Sequence, residues 1–197
     1  PHPLAPPFVY GVGEYPEGVM WFGGHQLYQY ADQQWIPMQS PSPISSFVLD
    51  IAESESDGLW VGTRMFGALH YDGTDWVPYT TQEGLNTNRI EALAVAENGY
   101  IWAGAPGALN RFDGQQWTPH TMASKASAQL VRGGLITDES GGLWMNTATP
   151  QNTTWATTRY RVDTAPPDTW ITTQSGRLAE QGAIRIEWQG ADWWEHT

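Results

Sequence analysis

The chain of 197 residues contains only nine lysines and arginines, and several of them fall in segments predicted to be loops. Four of these loop cations are Arg64, Arg89, Lys125 and Arg132. Ammonium and guanidinium groups recognise carboxylates and other anions through charge-assisted hydrogen bonds. In a protein whose formal net charge is −12, cations gathered at one place would bind an anionic ligand, such as an acidic sugar or a peptide carboxylate. The alternative is that these side chains are simply solvated, as loop residues commonly are.

Uncharged groups in the same loops would add hydrogen bonds and stacking surfaces to such a site. The candidates are Phe66, Asn86, Asn88 and Trp155. Together with the four cations they form a predicted binding surface for a small molecule, a glycan or a peptide.

Other kinds of chemistry find less support. The five histidines lack metal-ligand spacing and the chain has no cysteine, so we predict no metal and no cofactor. Residues 54–60 (SESDGLW) faintly resemble the Asp box of sialidase-like propellers, but Asp57 abuts Gly58 where that motif has an intervening residue. Glycoside hydrolysis also needs two carboxylates in different environments, and no such pair stands out. We therefore predict no catalytic residues, with a propeller glycosidase as a remote alternative.

Composition limits the partners. A net charge of −12 argues against nucleic acid, which requires a basic surface, and against direct contact with an anionic membrane. The sequence has no apolar run near the roughly 20 residues of a transmembrane helix. It starts at Pro1 and stops within a pattern, so we expect a fragment of a longer protein.

Tryptophans that recur about every 40 residues indicate the repeated structural units that position these loops. One set is Trp21, Trp60, Trp102 and Trp144, and a second set is Trp35, Trp76 and Trp117, each followed two positions later by proline. A repeat of this length made of short strands is typical of a propeller blade. Because the same residue recurs in every repeat, we interpret these tryptophans as packing between blades rather than as a ligand platform.

Each repeat is predicted to form four short strands joined by turns. Asp72-Gly73 and Asp113-Gly114 precede the fourth strand, and their context favours turn formation over cation binding. Proline cannot donate to a strand ladder, so the fourth strand is predicted at the outer edge of each blade. Small residues in the first strand favour a crowded central axis.

The fold is therefore predicted to be all-β, with four four-stranded blades that make up a partial propeller over residues 1–163. The blades span about 7–38, 47–79, 90–120 and 135–163. The loops between strands two and three, together with the blade crossings at 39–46, 80–89 and 121–134, are expected to be the longer ones. They share one face of the propeller, called here the long-loop face, which we expect to bind the ligand. From residue 164 to 197 the pattern changes to that of a truncated Ig-like β-sandwich.

Two of the repeats carry motifs of a known family. GLWVGT (58–63) with GALHYDG (67–73), and YIWAGA (100–105) with GALNRFDG (107–114), resemble the two-component regulator propeller repeat. The resemblance implies an extracytoplasmic location, periplasmic or at the bacterial cell surface, with anchoring to the membrane through segments outside this sequence. It also implies further blades, and downstream signalling domains such as a histidine kinase, as partners within the same protein.

The resulting hypothesis is a non-catalytic sensor propeller that binds a ligand for a bacterial signalling protein. A structural or adhesive cell-surface propeller is the alternative. The sequence leaves open the identity of the ligand, the number of blades, the oligomeric state and the output domain.

Overall fold

The computed structural model describes residues 5–38, 47–54, 57–121, 129–139, 142–148 and 155–160. The elements in these ranges are β-strands grouped in four antiparallel sheets, which confirms the predicted all-β fold built of blades. None of the described residues belongs to a helix long and apolar enough to cross a bilayer. The predicted Ig-like segment, 164–197, lies outside the described residues.

Each sheet is formed by consecutive strands. Blade 1 contains β1 (Gly11–Glu14), β2 (Met20–Gly23), β3 (Leu27–Ala31) and β4 (Gln34–Pro37). Blade 2 contains β5 (Val48–Ser54), β6 (Gly58–Thr63), β7 (Ala68–Tyr71) and β8 (Trp76–Tyr79). Blade 3 contains β9 (Ala92–Val95), β10 (Ile101–Ala105), β11 (Ala108–Phe112) and β12 (Trp117–Thr121). Blade 4 contains β13 (Gln129–Thr137), β14 (Leu143–Ala148) and β15 (Trp155–Tyr160).

The strand order within each blade follows the chain from the axis outwards. The first strands β1, β5, β9 and β13 lie against one another, and β4, β8 and β12 form the outer edges. The edge strands carry Pro37, Pro78 and Pro119, which need no ladder partner on the solvent side. The proline pattern thus predicted the strand order correctly.

Two aspartates build the turns that lead into the edge strands. The Asp72 carboxylate accepts hydrogen bonds from the backbone N–H groups of Thr74 and Asp75, at 2.7 and 2.8 Å. Asp113 does the same for Gln115 and Gln116, at 2.9 and 2.8 Å. These bonds lower the pKa of both carboxyl groups. The following residues, Gly73 and Gly114, have φ values of 101° and 93°, which glycine adopts without strain.

The connections differ from expectation in two places. In blades 1, 2 and 3 the loops between strands two and three contain only three, four and two residues, so the prediction that they are long is wrong for these blades. In blade 4 six residues separate β14 from β15. The crossing after Tyr79 is long, as predicted. In addition, β13 begins at Gln129, inside the segment predicted as the third crossing. A bulge between Leu130 and Leu135 lets both leucines pack against blade 3, which draws the chain into the sheet early.

The hydrophobic core lies between blades, where two kinds of cross-strand row face each other. An indole row contains the strand-two tryptophan and its strand-three neighbour: Trp21–Gln29, Trp60–His70, Trp102–Arg111 and Trp144–Arg159. A receiving row contains an apolar residue, an aromatic ring and the strand-four tryptophan: Met20–Tyr30–Trp35, Leu59–Tyr71–Trp76 and Ile101–Phe112–Trp117. The two sets of tryptophans seen in the sequence therefore belong to opposite faces of each blade.

The indole row of one blade packs on the receiving row of the next. Trp21 meets Trp76 edge to face, with ring centroids 5.9 Å apart and an interplanar angle of 79°. Trp60 meets Trp117 in the same way, at 5.8 Å and 83°. Edge-to-face contacts of this kind are the favoured arrangement for aromatic pairs. Trp21, Trp60 and Trp102 are almost fully buried, whereas Trp144 and Trp35 are half-buried at the two ends of the array.

The strand-two indoles are also anchored by polar contacts to the turn before them. The Trp60 Nε1–H donates to the Asp57 carboxylate at 3.0 Å, and the Trp144 Nε1–H donates to the Asp138 carboxylate at 2.8 Å. The Trp21 indole donates to the carbonyl oxygen of Tyr15. A buried indole N–H without a partner would be costly, so these bonds help to explain why the position suits tryptophan.

The axis is crowded, as the small residues of the first strand predicted. A Cβ added at Gly11 would lie 2.7 Å from the backbone nitrogen of Ile51 and 2.9 Å from the Cα atom of Asp50. Hydrogen bonds also cross between first strands: the Glu14 N–H donates to Glu53 at 2.9 Å, and the Thr137 hydroxyl donates to the Val95 carbonyl at 2.7 Å.

The packing of the two rows predicts unequal costs for truncating two tryptophans. Trp60→Ala removes a fully buried ring and leaves Asp57 without its indole donor, so we expect a loss of about 3–5 kcal/mol in the free energy of unfolding. Trp35→Ala, at the half-exposed end of the array, should cost about 1–2 kcal/mol. Urea denaturation at low protein concentration measures both values, and equal losses would contradict the alternating arrangement of the two rows.

Candidate functional site

The long-loop face carries a cluster of aromatic rings and arginines, called here the mouth cluster. Its members come from three blades and surround the entrance to the axis: Phe8, Tyr10, His25, Phe47, Arg64 and Arg132. Phe8 and Tyr10 precede β1, Phe47 precedes β5, and Arg132 lies in the first half of β13. These positions are adjacent because the first strands converge at the axis. His25 and Arg64 are contributed by the loops between strands two and three.

The rings of the mouth cluster are in contact with one another. The His25 ring lies 4.6 Å from that of Phe47 and 5.8 Å from that of Phe8. Tyr10 and Phe47 are 6.4 Å apart. Phe8 is 59% exposed and Tyr10 39% exposed, so these rings present apolar surface to solvent. Exposed aromatic surface of this kind commonly marks a ligand-binding or protein-interaction site.

Two arginines cover the same rings. The Arg132 guanidinium lies 4.3 Å from the centre of the Tyr10 ring, and the Arg64 guanidinium lies 5.5 Å from that of Phe47. Both distances are within the range of cation–π interactions, which attract the guanidinium groups to the rings. Among the described residues no carboxylate forms a salt bridge with Arg64.

A third arginine joins the cluster through a buried acid. Glu91, 7% exposed, accepts a hydrogen bond from Arg89 Nε at 2.6 Å, and Arg132 Nε lies 3.7 Å from its other carboxylate oxygen. One carboxylate thus neutralises part of the charge of two guanidinium groups. Arg64, Arg89, Arg132 and Glu91 together carry a net positive charge on the surface of an acidic protein.

The remaining sequence-predicted residues have other contacts. Asn86 exchanges two hydrogen bonds, each of 3.1 Å, with the fully buried Asn110. The Asn88 carboxamide oxygen accepts from the Thr81 N–H at 2.9 Å. These contacts fix the crossing between blades 2 and 3. Phe66 follows Arg64 in the same loop, with its ring partly buried.

The last two predicted residues are Lys125 and Trp155. Lys125 lies outside the described residues. Trp155 is the first residue of β15 and pairs with Ala148 at the long-loop end of blade 4. Of the eight predicted residues, the structure therefore brings Arg64, Arg89 and Arg132 together.

Sequence reasoning missed Phe8, Tyr10, His25, Phe47 and Glu91. Three of the aromatic residues stand just before a first strand, and that shared position was the available signal. The contact between Tyr10 and Arg132, however, joins the first and fourth blades across the axis. A spacing pattern within one repeat carries no information about such a contact.

Below the mouth, an acidic group is buried in the axis. Asp50, 8% exposed, accepts a hydrogen bond from the Leu93 N–H of the next blade at 2.8 Å. Burial raises the pKa of this carboxyl group from 3.8 to about 6, while the bond from Leu93 acts in the opposite direction. Desolvation is the larger effect because the charged form loses its hydration.

The opposite face contains a depression of about 450 Å³ lined by Glu14, Tyr15, Pro16, Glu17, Glu53 and Ser54. Two of its acids are already engaged, since Glu53 accepts from the Glu14 N–H at 2.9 Å and Glu14 accepts from the Gly18 N–H at 2.7 Å. Within the described ranges, no group of three or more histidine or acidic residues has the geometry to hold a metal ion. The depression therefore offers an acidic surface.

Comparisons with known proteins agree with the fold. No protein-family model and no curated protein matches the sequence. Among solved structures, the chain is similar to the extracellular domain of the hybrid two-component system BT3049 from B. thetaiotaomicron, with a TM-score of 0.62 and 19% identity over 92% of this chain. It is also similar to the extracellular domain of BT4673 from the same organism, with a TM-score of 0.59 and 15% identity over 80% of this chain.

The chain spans about a quarter of the length of these two structures, 26% of the first and 27% of the second. At such low identity the likeness concerns the fold, and it agrees with the propeller blades described above.

The buried carboxyl group of Asp50 predicts a pH-dependent contribution to stability. The pKa of Asp50 is higher in the folded chain than in the unfolded chain, because burial favours the protonated carboxyl group. The contribution of this group to the free energy of unfolding is therefore fully present below about pH 4 and is lost as the pH rises through about 6. A shift of about two units corresponds to about 3 kcal/mol. Asp50→Asn keeps an oxygen acceptor for Leu93 without a charge.

We therefore expect Asp50→Asn to gain stability relative to the native chain by about 3 kcal/mol between pH 4 and pH 7. Denaturant titrations of both proteins across this range measure the difference, in which the contributions of other titrating groups cancel. A difference that stays constant with pH would contradict the raised pKa.

Proposed function

We propose that this chain is part of a non-catalytic, extracytoplasmic sensor propeller of a bacterial two-component-type signalling protein, and that its long-loop face binds an anionic ligand. Three observations support the proposal. The repeat motifs resemble those of regulator propellers, the fold is similar to extracellular domains of two hybrid two-component systems, and the mouth cluster offers cations and rings to a ligand.

The mouth cluster is the reason for proposing that the ligand is anionic. The Arg132 guanidinium lies over Tyr10 and the Arg64 guanidinium lies over Phe47, while Phe8 and Tyr10 are partly exposed to solvent. A sugar or peptide that bears a carboxylate would pair its charge with the arginines and stack its apolar face on the rings. The rest of the protein is acidic and would repel an anionic ligand. The ligand would therefore be directed to the positively charged mouth cluster.

A ligand at this position would contact several blades at once. Phe8 and Tyr10 belong to blade 1, Phe47 and Arg64 to blade 2, and Arg132 to blade 4. Binding there would favour one arrangement of the blades around the axis over others. A shift of that equilibrium is the physical means by which a downstream signalling domain of the same protein would sense occupancy.

Binding of uronic acid disaccharides tests the proposal. We expect digalacturonate to bind with an affinity that falls as salt is added, and neutral galactobiose to bind more weakly. Arg64→Gln and Arg132→Gln should each lower the affinity about tenfold, the amount expected for one charge-assisted hydrogen bond. Isothermal titration calorimetry on the native chain and the two variants gives these values.

Glu17→Gln serves as the matched control, because it changes the charge by one unit at the depression on the opposite face. It should leave the affinity unchanged. Equal binding of the neutral disaccharide, or an affinity that responds to Glu17→Gln and not to the arginine variants, would contradict the proposed site. Absence of binding for acidic disaccharides and acidic dipeptides alike would contradict the ligand class.

A further inference from the structure

The main chain that enters blade 3 is bonded to the two blades that carry arginines of the mouth cluster. The Ile90 N–H donates to the carbonyl oxygen of Thr63 at 2.9 Å, one residue before Arg64. The carbonyl oxygen of the next residue, Glu91, accepts from the Gly133 N–H in blade 4 at 3.2 Å. Glu91 is therefore held in place by its backbone, whatever its side chain does.

The side chain of Glu91 is shared by two guanidinium groups. One carboxylate oxygen accepts from Arg89 Nε at 2.6 Å and also contacts Nη2 of the same side chain. The other oxygen lies 3.7 Å from Arg132 Nε. The carboxylate is almost fully buried, whereas the side chains of Arg89 and Arg132 are 46% and 40% exposed. A ligand that arrives from solvent therefore meets the guanidinium groups and not the acid.

Arg132 is restrained by two different contacts. Its Nε faces Glu91, and its guanidinium carbon lies 4.3 Å from the centre of the Tyr10 ring. A guanidinium group has five N–H donors in a fixed plane, so contacts at Nε and at the ring leave the donors on Nη1 and Nη2 for an anion. The carboxylate and the ring together fix the direction in which these donors point.

We propose that Glu91 is a positioning residue of the binding site, which orders Arg89 and Arg132 before an anion binds even though its own charge opposes that anion. This inference rests on the proposed function, in which the long-loop face binds an anionic ligand. A long side chain that must be immobilised on binding lowers the affinity by up to about tenfold. A buried acid that immobilises two arginines in the free protein removes part of this cost.

The substitution Glu91→Gln separates positioning from charge, because the two effects have opposite signs. Removal of the negative charge makes the mouth more positive, which by itself strengthens the binding of an anion. Loss of the ordered arginines weakens it. We expect digalacturonate to bind about fivefold more weakly to Glu91→Gln than to the native chain, as measured by isothermal titration calorimetry. The affinity for neutral galactobiose should not change.

Two further acid substitutions define the cause of the loss. Glu91→Asp keeps the charge, but its carboxylate is one methylene shorter and should not reach both arginines, so it too should bind digalacturonate more weakly. Glu83→Gln is the matched control, because Glu83 is an exposed acid in the crossing between blades 2 and 3 that bonds to Thr80. It removes the same charge and should not weaken binding.

A double-mutant cycle tests whether Glu91 acts through its arginine partner. In the Arg132→Gln background, Glu91→Gln should lose most of its effect on the affinity for digalacturonate, because the side chain that it positions is gone. Additive losses would contradict action through Arg132. Melting curves verify that each variant is folded, and if Glu91→Gln does not fold, Glu91→Asp provides the test.

The outcomes distinguish this inference from the function on which it rests. If Arg132→Gln weakens digalacturonate binding while Glu91→Gln strengthens it or leaves it unchanged, the positioning role is overturned and the anion site remains. A native affinity in Glu91→Asp, or an equal loss of galactobiose binding in Glu91→Gln, also overturns the positioning role. A native chain that binds neither acidic disaccharides nor acidic dipeptides overturns both proposals.

Discussion

Packing of tryptophan against tryptophan between neighbouring blades is the constraint on which the rest of the structure depends. A sheet of four short strands has two apolar faces and no means of burying either by itself. Here each face is completed by the next blade, because an indole from strand two enters a row of aromatic and aliphatic side chains that ends in the strand-four tryptophan. The period of about 40 residues is the length of chain that one such unit requires.

The crowded axis follows from the same packing. Indoles buried between blades draw the first strands together until Gly11 lies against the backbone of Asp50 and Ile51. The carboxyl group of Asp50 lies in that space, where it accepts a hydrogen bond from the Leu93 N–H of the neighbouring blade. Its pKa is raised because burial removes its hydration. The mouth cluster lies directly above, because residues that precede converging strands must also converge. The residues of the candidate site are thus brought together by the convergence of the first strands and not by any single loop.

Much of this architecture was predictable from the sequence, since its signals are local. The aspartate–glycine turns, the edge prolines and the alternation within each strand act over a few residues and recur in register. The length of the loops between strands two and three was mispredicted in blades 1 to 3, because glycine-containing turns as short as 106–107 suffice where the strands already pair. The arginines of the mouth were found from their rarity in an acidic chain. Their aromatic partners were missed because Tyr10 of blade 1 and Arg132 of blade 4 are separated in the sequence by blades 2 and 3 and meet only in the folded structure.

The strand-three residue beside each strand-two tryptophan differs from blade to blade. This strand-three position is Gln29 in blade 1, His70 in blade 2, Arg111 in blade 3 and Arg159 in blade 4, so it carries a neutral amide, an imidazole or a guanidinium next to the same indole. The joint accepts all three chemistries because the indole, and not its neighbour, fills the space between blades. The charge beside the indole therefore differs between blades while the strand pairing around it is the same.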